Sequence, residues 1–282
     1  MARRGKPLDG RVAVVTGSAQ GLGRTMALAL LDAGARVAFT DIEGAPLEAT
    51  AYEARAIAGN ADAVHTVVGN VAKPADAQRI VGSTLRKFGA LHILVNNAGI
   101  GPSAGNRMAL VKPPKVWEID PRLWEQTLAV NSGGPFQMIR AALPEMRRWK
   151  WGRVIGITTS LDNMLRPGQV AYGPSKAAHE ALMAILAQDL DGSGVTANIL
   201  VPGGPANTRM VPTVGAFKNR AALIQPEQMV APLLYLCSAA ADKVNGRRFV
   251  AARWSQRASP AVNARRDSAP IGWTGQKAIM SH

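Results

Sequence analysis

Tyr172 and Lys176, in AYGPSKAAHEAL, are spaced for acid and base chemistry. Four residues apart on a helix, they share one face, with the ammonium near the phenol. A tyrosine hydroxyl ordinarily titrates near 10, too high for proton exchange at neutrality. A neighbouring cation favours the phenolate and lowers that value, making the phenol a usable acid or base. Upstream, GITTSLDN sets three hydroxyls in succession: Thr158, Thr159 and Ser160. On a strand Thr158 and Ser160 share one face and Thr159 the other, unless the strand has already ended.

A second constellation lies near the start. The apolar run Val12 to Val15 leads into TGSAQGLGR, with glycines at 17, 21 and 23. A glycine-rich turn between a strand and a helix brings backbone N–H groups and the positive helix end against a pyrophosphate. The spacing GxxxGxG departs from the commoner GxGxxG, since Met26 stands at the third glycine's place. Asp41 closes the second apolar run. A carboxylate there accepts bonds from a ribose diol and repels a 2′-phosphate, selecting NAD over NADP; alternatively it caps a helix starting near Glu43. Neither Ala19 nor Gln20 supplies a cation for that phosphate, and Arg24 is the residue that keeps NADP open.

The elements that must position these groups follow from the pattern. Short apolar runs (Val12 to Val15, Arg36 to Phe39, Val64 to Val68, His92 to Val95, Arg153 to Ile157, Ala197 to Val201) alternate with helix-length segments. Near-continuous apolar strands between helices indicate a parallel sheet covered on both faces, a doubly wound α/β fold. Gly34, Gly59 and Gly89 end helical segments, and Pro74 and Pro121 open others. Gly101 to Ile119 reads as a loop, and Pro144 is expected to kink or end its helix.

The chain has 282 residues, 47% of them hydrophobic, enough for one large core. It has no apolar run long enough to span a bilayer and one cysteine, Cys237, which points to a soluble, cytoplasmic protein. The net charge is +14, but the basic residues are dispersed, with no zinc-finger or helix-turn-helix pattern. A generally basic surface is therefore expected, without a specific nucleic-acid or membrane site. His65, His92, His179 and His282 lack ligand spacing, so no metal is expected, and His179 reads as a helix-surface residue.

Five motifs in order, TGSAQGLG, the NNAG of Asn96 to Gly99, Asn131 in LAVNSGGPF, YGPSK, and the Pro202–Gly203 of NILVPGG, resemble those of the short-chain dehydrogenase/reductase family, in its shorter branch. The resemblance covers roughly residues 8 to 250. It implies a Rossmann-type sheet of about seven strands in a single catalytic domain, residues 1–254. The polar sequence after Trp254 has no clear period, so 255–282 is expected to be an extended or disordered tail, or one that wraps a neighbouring subunit. The resemblance implies an oxidoreductase passing hydride between NAD(H) and a secondary alcohol or ketone. Tyr172 would exchange the proton, Lys176 would lower its pKa and bind the nicotinamide ribose, and Asn131 would hold a relay water or satisfy backbone. The cofactor would lie against Gly17, Gln20, Gly21, Leu22, Gly23, Asp41, Ile42, Asn70, Val71, Asn97, Ala98, Gly99, Tyr172, Lys176, Pro202 and Gly203. Asn70 replaces the family's usual aspartate, so an amide oxygen would have to accept the adenine bond.

The family's substrate-binding serine commonly stands thirteen residues before the tyrosine, which is Thr159 here; Ser160, one residue later, has the expected side chain. Thr158 reads as structural. The pocket loops offer Met108, Leu110, Val111, Trp117, Met164, Leu165, Met210 and Val211, with Arg107, Lys112, Lys115, Arg166 and Arg209 able to meet an anionic substrate. The resemblance also implies a homotetramer or dimer associating through helices around 121–149 and 170–191. Alternative readings are an NADPH-dependent 3-oxoacyl thioester reductase and a non-catalytic nucleotide sensor.

Overall fold

In the computed structural model, which describes residues 5–272, eight strands form one sheet in the order β3-β2-β1-β4-β5-β6-β7-β8. The strands are β1 (Val12–Thr16), β2 (Arg36–Asp41), β3 (Val64–Val68), β4 (Ile93–Asn96), β5 (Gly152–Ile157), β6 (Val195–Val201), β7 (Arg247–Val250) and β8 (Ser268–Pro270). All neighbours pair in parallel except β7 and β8. Alternation along β1 splits the core: Ala13 and Val15 pack on one face of the sheet, Val12 and Val14 on the other.

Helices α1 (Gly21–Asp32), α2 (Gly44–Ala58) and α8 (Val230–Cys237) cover the first face through Met26, Leu30, Leu47 and Leu233. Helices α3 (Pro74–Phe88), α5 (Gly134–Arg148) and α7 (Tyr172–Asp189) cover the second through Ile80, Met138 and Met183. Gly59 and Gly89 cap α2 and α3 in the left-handed conformation, where a side chain would be strained. Helix α4 (Pro121–Leu128) runs through a π-helical turn at Ala129–Gly133 straight into α5.

Of the kink or end expected at Pro144, the end does not occur: α5 continues to Arg148, with Pro144 and Arg140 exposed and Met138, Ala142 and Met146 buried. One expectation is corrected. The segment after Trp254 is not extended or disordered as far as residue 272. It forms α9 (Pro260–Arg266) and β8, which adds an eighth strand antiparallel to β7. Asn263, fully buried, accepts from Ser255 N and donates to Ser255 and Ala258 carbonyls, and Ile271 is buried against the sheet. The rest of the expected tail, 273–282, including His282, lies outside the described residues. β5 stops at Ile157, directly before the hydroxyl row, and the helix after that row, α6 (Leu161–Met164), is only four residues long.

Candidate active site

The carboxyl ends of the strands open into one cleft of about 1780 Å³, at the place where strand order reverses between β1 and β4. That volume exceeds a typical single-ligand pocket, roughly 300–1,000 Å³. At its β1 end Gly17 adopts φ +66°, and a Cβ there would lie 2.8 Å from the Cα of Ala98. A Cβ on Gly23 would lie 2.1 Å from the Gly17 carbonyl oxygen. These are cradles only glycine allows. No side chain caps α1 and its first turn carries no acid, so its leading amides are available to an anion. Asn97 ties the turn to β4: its Nδ2 donates to the carbonyls of Thr16 and Gly17, and Thr16 Oγ1 accepts from the amides of Asn97 and Ala98. These features fit a dinucleotide pyrophosphate.

No side chain caps α2, so the capping role expected of Asp41 is not seen, and Asp41 borders the same cleft. Its Oδ2 accepts from the Ala19 amide at 3.1 Å and its Oδ1 from Glu43 N at 3.1 Å, ahead of α2. Ile42 and Val71 also border the cleft, as does Asn70, whose Oδ1 accepts from Ala72 N at 3.0 Å. Arg24 is turned away and paired with Glu53. Arg209, expected at the substrate side, instead pairs with Glu43 near Asp41, beyond the end of β2. This cation beside Asp41 was not legible in the sequence, because 166 residues separate the pair.

At the other end, Lys176 is buried one helical turn after Tyr172, with Nζ donating to the Ile157 carbonyl at 2.9 Å. Burial pushes its ammonium down to about 8. Burial also pushes the Tyr172 phenol up to about 12, partly opposed by a hydrogen bond with Thr159. The expected lowering by Lys176 is not seen here: Nζ is held by a carbonyl, 5.9 Å from the centre of the phenol ring.

The three hydroxyls have three different partners. Thr158 donates to the buried Glu180 carboxylate at 2.8 Å. Ser160 caps α6, accepting from Asn163 N at 3.4 Å. Thr159 is the one beside Tyr172, and Asn163 Nδ2 donates to its Oγ1 at 3.0 Å.

Residues 11–219 match the short chain dehydrogenase family. The chain belongs to the short-chain dehydrogenase family. Relatives include the NADPH-dependent aldehyde reductase-like protein, chloroplastic, of Arabidopsis thaliana, 35% identical over 72% of this chain and 75% of that protein. The 3-oxoacyl-[acyl-carrier-protein] reductase of Synechocystis sp. is 32% identical over 86% of this chain and 95% of its own length. The crystal structure of levodione reductase superposes with a TM-score of 0.74 at 25% identity, covering 84% of this chain and 94% of that one. This short-chain dehydrogenase is thus an oxidoreductase of alcohols and carbonyl compounds that uses a nicotinamide dinucleotide.

Within this short-chain dehydrogenase, every sequence-predicted site residue borders the cleft except Asn131. Asn131 is fully buried in the π-helical turn: Oδ1 accepts from Ile100 N at 2.7 Å, and Nδ2 donates to Ile100 O and Ser175 Oγ at 2.9 Å each. Of the expected pocket side chains, Leu110, Met210, Val211, Arg107, Arg166 and Arg209 line the cleft. Met108, Val111, Lys112, Lys115, Trp117, Met164 and Leu165 do not; Met164 is buried under α7, and Trp117 is 83% exposed. His179 is not a surface residue. It is buried against Gly156, where a Cβ would come within 2.9 Å of Nε2, so the missing side chain makes its room. The residues that sequence reasoning missed are Asn163, Glu180, Arg248 and the wall formed by Arg253, Arg266 and 267–270. Among the described residues, no cluster of three or more His, Cys, Asp or Glu is arranged to hold a metal, and no helix is long and apolar enough to cross a membrane.

Proposed function

We propose that this protein is an NAD-dependent oxidoreductase that interconverts a secondary alcohol and a ketone, with Tyr172 as the proton-exchanging group. The observation that carries this reading is that Tyr172, Lys176 and Thr159 border the same cleft as the glycine cradle, with Lys176 Nζ on the Ile157 carbonyl at 2.9 Å. A bound nicotinamide would donate hydride to the ketone or accept it from the alcohol. Gly17, Gln20, Gly21, Leu22 and Gly23 would hold its pyrophosphate on backbone amides, and Asp41 would accept from the adenosine ribose. Asn97, Ala98, Gly99, Pro202 and Gly203 would border the nicotinamide end.

Tyr172, its phenol at about 12, keeps its proton at neutral pH and is suited to give it to a carbonyl oxygen. Thr159 orients that oxygen, and Ser160 holds α6. Lys176 presents a cation beside the phenol, stabilising negative charge as the proton leaves. Asn131 clamps Ile100 to α7 and retains one Oδ1 lone pair for a relay water.

A second reading, NADPH dependence on a carbonyl or 3-oxoacyl thioester substrate, is favoured by Arg209 beside Asp41 and by the relatives named above. Exposed Phe136 on α5 and Ile185 on α7 support a homo-oligomeric face, and the single buried Cys237 is in keeping with a cytoplasmic protein.

Tyr172→Phe tests the mechanism. With a panel of secondary alcohols and NAD+ or NADP+, the variant is expected to lose most turnover while binding reduced cofactor as the parent does. Full turnover in that variant would remove Tyr172 from the reaction.

A further inference from the structure

Three consecutive residues at the end of β5 are each held by a different buried side chain. Lys176 binds the Ile157 carbonyl at 2.9 Å, Glu180 accepts the Thr158 hydroxyl at 2.8 Å, and Arg248 Nη2 donates to the Thr159 carbonyl. Arg248 Nε closes the group on Glu180 Oε1 at 2.9 Å. Glu180 is fully buried and Arg248 is 8% exposed, yet Arg248 also borders the cleft. A buried ion pair adds little net stability over apolar residues of the same volume, because desolvation offsets the attraction. What it does add is geometry: a planar guanidinium holds a carboxylate and a carbonyl in one rigid fork, which a flexible ammonium does not.

We infer that Glu180 and Arg248 are positioning residues, which hold residues 157–159 so that Thr159, rather than Thr158 or Ser160, offers its hydroxyl to Tyr172. This rests on the reading of Thr159 given above. Glu180 draws the Thr158 hydroxyl away from the tyrosine, and Arg248, paired with Glu180, fixes the Thr159 backbone. The α6 cap holds Ser160. The choice among three adjacent hydroxyls is made by two charged residues that lie 20 and 88 positions later than Ser160 in the chain.

The test uses Arg248→Lys, Thr159→Val, their combination, and the paired apolar replacement Glu180→Leu with Arg248→Met. Turnover is followed with 1-phenylethanol and NAD+ and with acetophenone and NADPH, alongside amide hydrogen exchange over residues 157–163. Arg248→Lys keeps a charge for Glu180 but loses the tie to Thr159. It is expected to lower kcat about tenfold, with KM nearly unchanged and faster exchange at 158–163. The combined variant should lose no more than Thr159→Val alone, since both changes remove one function. The apolar pair should keep the fold and show the same loss.

Parental kcat in folded Arg248→Lys, with Thr159→Val impaired, overturns the inference alone. So do losses that multiply in the combined variant. Parental kcat in Thr159→Val overturns both the inference and the assignment of Thr159. Should the apolar pair fail to fold, Arg248→Lys decides.

Discussion

Lys176→Met is expected to make this protein more stable and inactive. Burial lowers the Lys176 ammonium from 10.5 to about 8. That difference corresponds to about 3 kcal/mol against keeping the charge where it is. The sign follows from linkage. Below pH 8 the lysine is charged both folded and unfolded, so the full penalty weighs on the native state. Between 8 and 10.5 the native protein has released the proton while the unfolded chain still holds it, so stability rises with pH across that window. Methionine fills a similar volume without the charge but forfeits the bond to Ile157, worth about 1.5–3 kcal/mol for a charged donor. The net gain at pH 7 is about 1 kcal/mol, or roughly 2–4 °C in Tm. Thermal and urea unfolding of both proteins from pH 6.5 to 9.5 measures it. The advantage of the variant should shrink steadily above pH 8 as the parent sheds its buried charge. A variant less stable than the parent at every pH, or a gap that does not change with pH, would refute the reasoning.

Other expectations are more local. Thr159→Val should cost about 10- to 150-fold in kcat, the worth of one hydrogen bond to a developing charge, with cofactor affinity unchanged. Ser160→Ala should leave kcat within about threefold and lower stability by about 1 kcal/mol through the lost cap, seen in Tm. Arg209→Ala should change the ratio of NADH to NADPH affinity, measured by fluorescence titration at fixed salt. If Arg209 meets a 2′-phosphate, NADPH affinity falls about tenfold and NADH affinity stays; the reverse pattern, with Asp41→Ala weakening NADH, supports NAD.

How much of this was legible beforehand depended on whether the determining contacts were local. The six apolar runs, the glycine caps at 59 and 89 and the phosphate-type turn repeat physical rules that act over a few residues, and they reappear as β1 to β6, α1 to α3 and the cleft. The hydroxyl row was ambiguous because one residue of strand length decides which side chain faces Tyr172. β5 stops at Ile157, and the ties from Glu180 and Arg248 settle the orientation of the next two residues. His179 looked exposed because its helix pattern gave no hint that Gly156, on a strand, leaves space for it. The segment after Trp254 lacked a period because a seven-residue helix and a three-residue strand are too short to show one. Its order comes from pairing with β7 and from Asn263, neither of which is a local signal.

The eighth strand also bears on symmetry. Closed assemblies of identical chains are built from two-fold contacts in which a surface meets itself, and a dihedral tetramer requires two different surfaces of that kind. The outer backbone of β7 is already bonded within the same chain, by Ser268, Ala269 and Pro270. A second copy therefore cannot continue the sheet from β7, and Pro270 gives the new rim one fewer N–H donor. That rim is blunted, whereas Phe136 on α5 and Ile185 on α7 stay apolar and exposed.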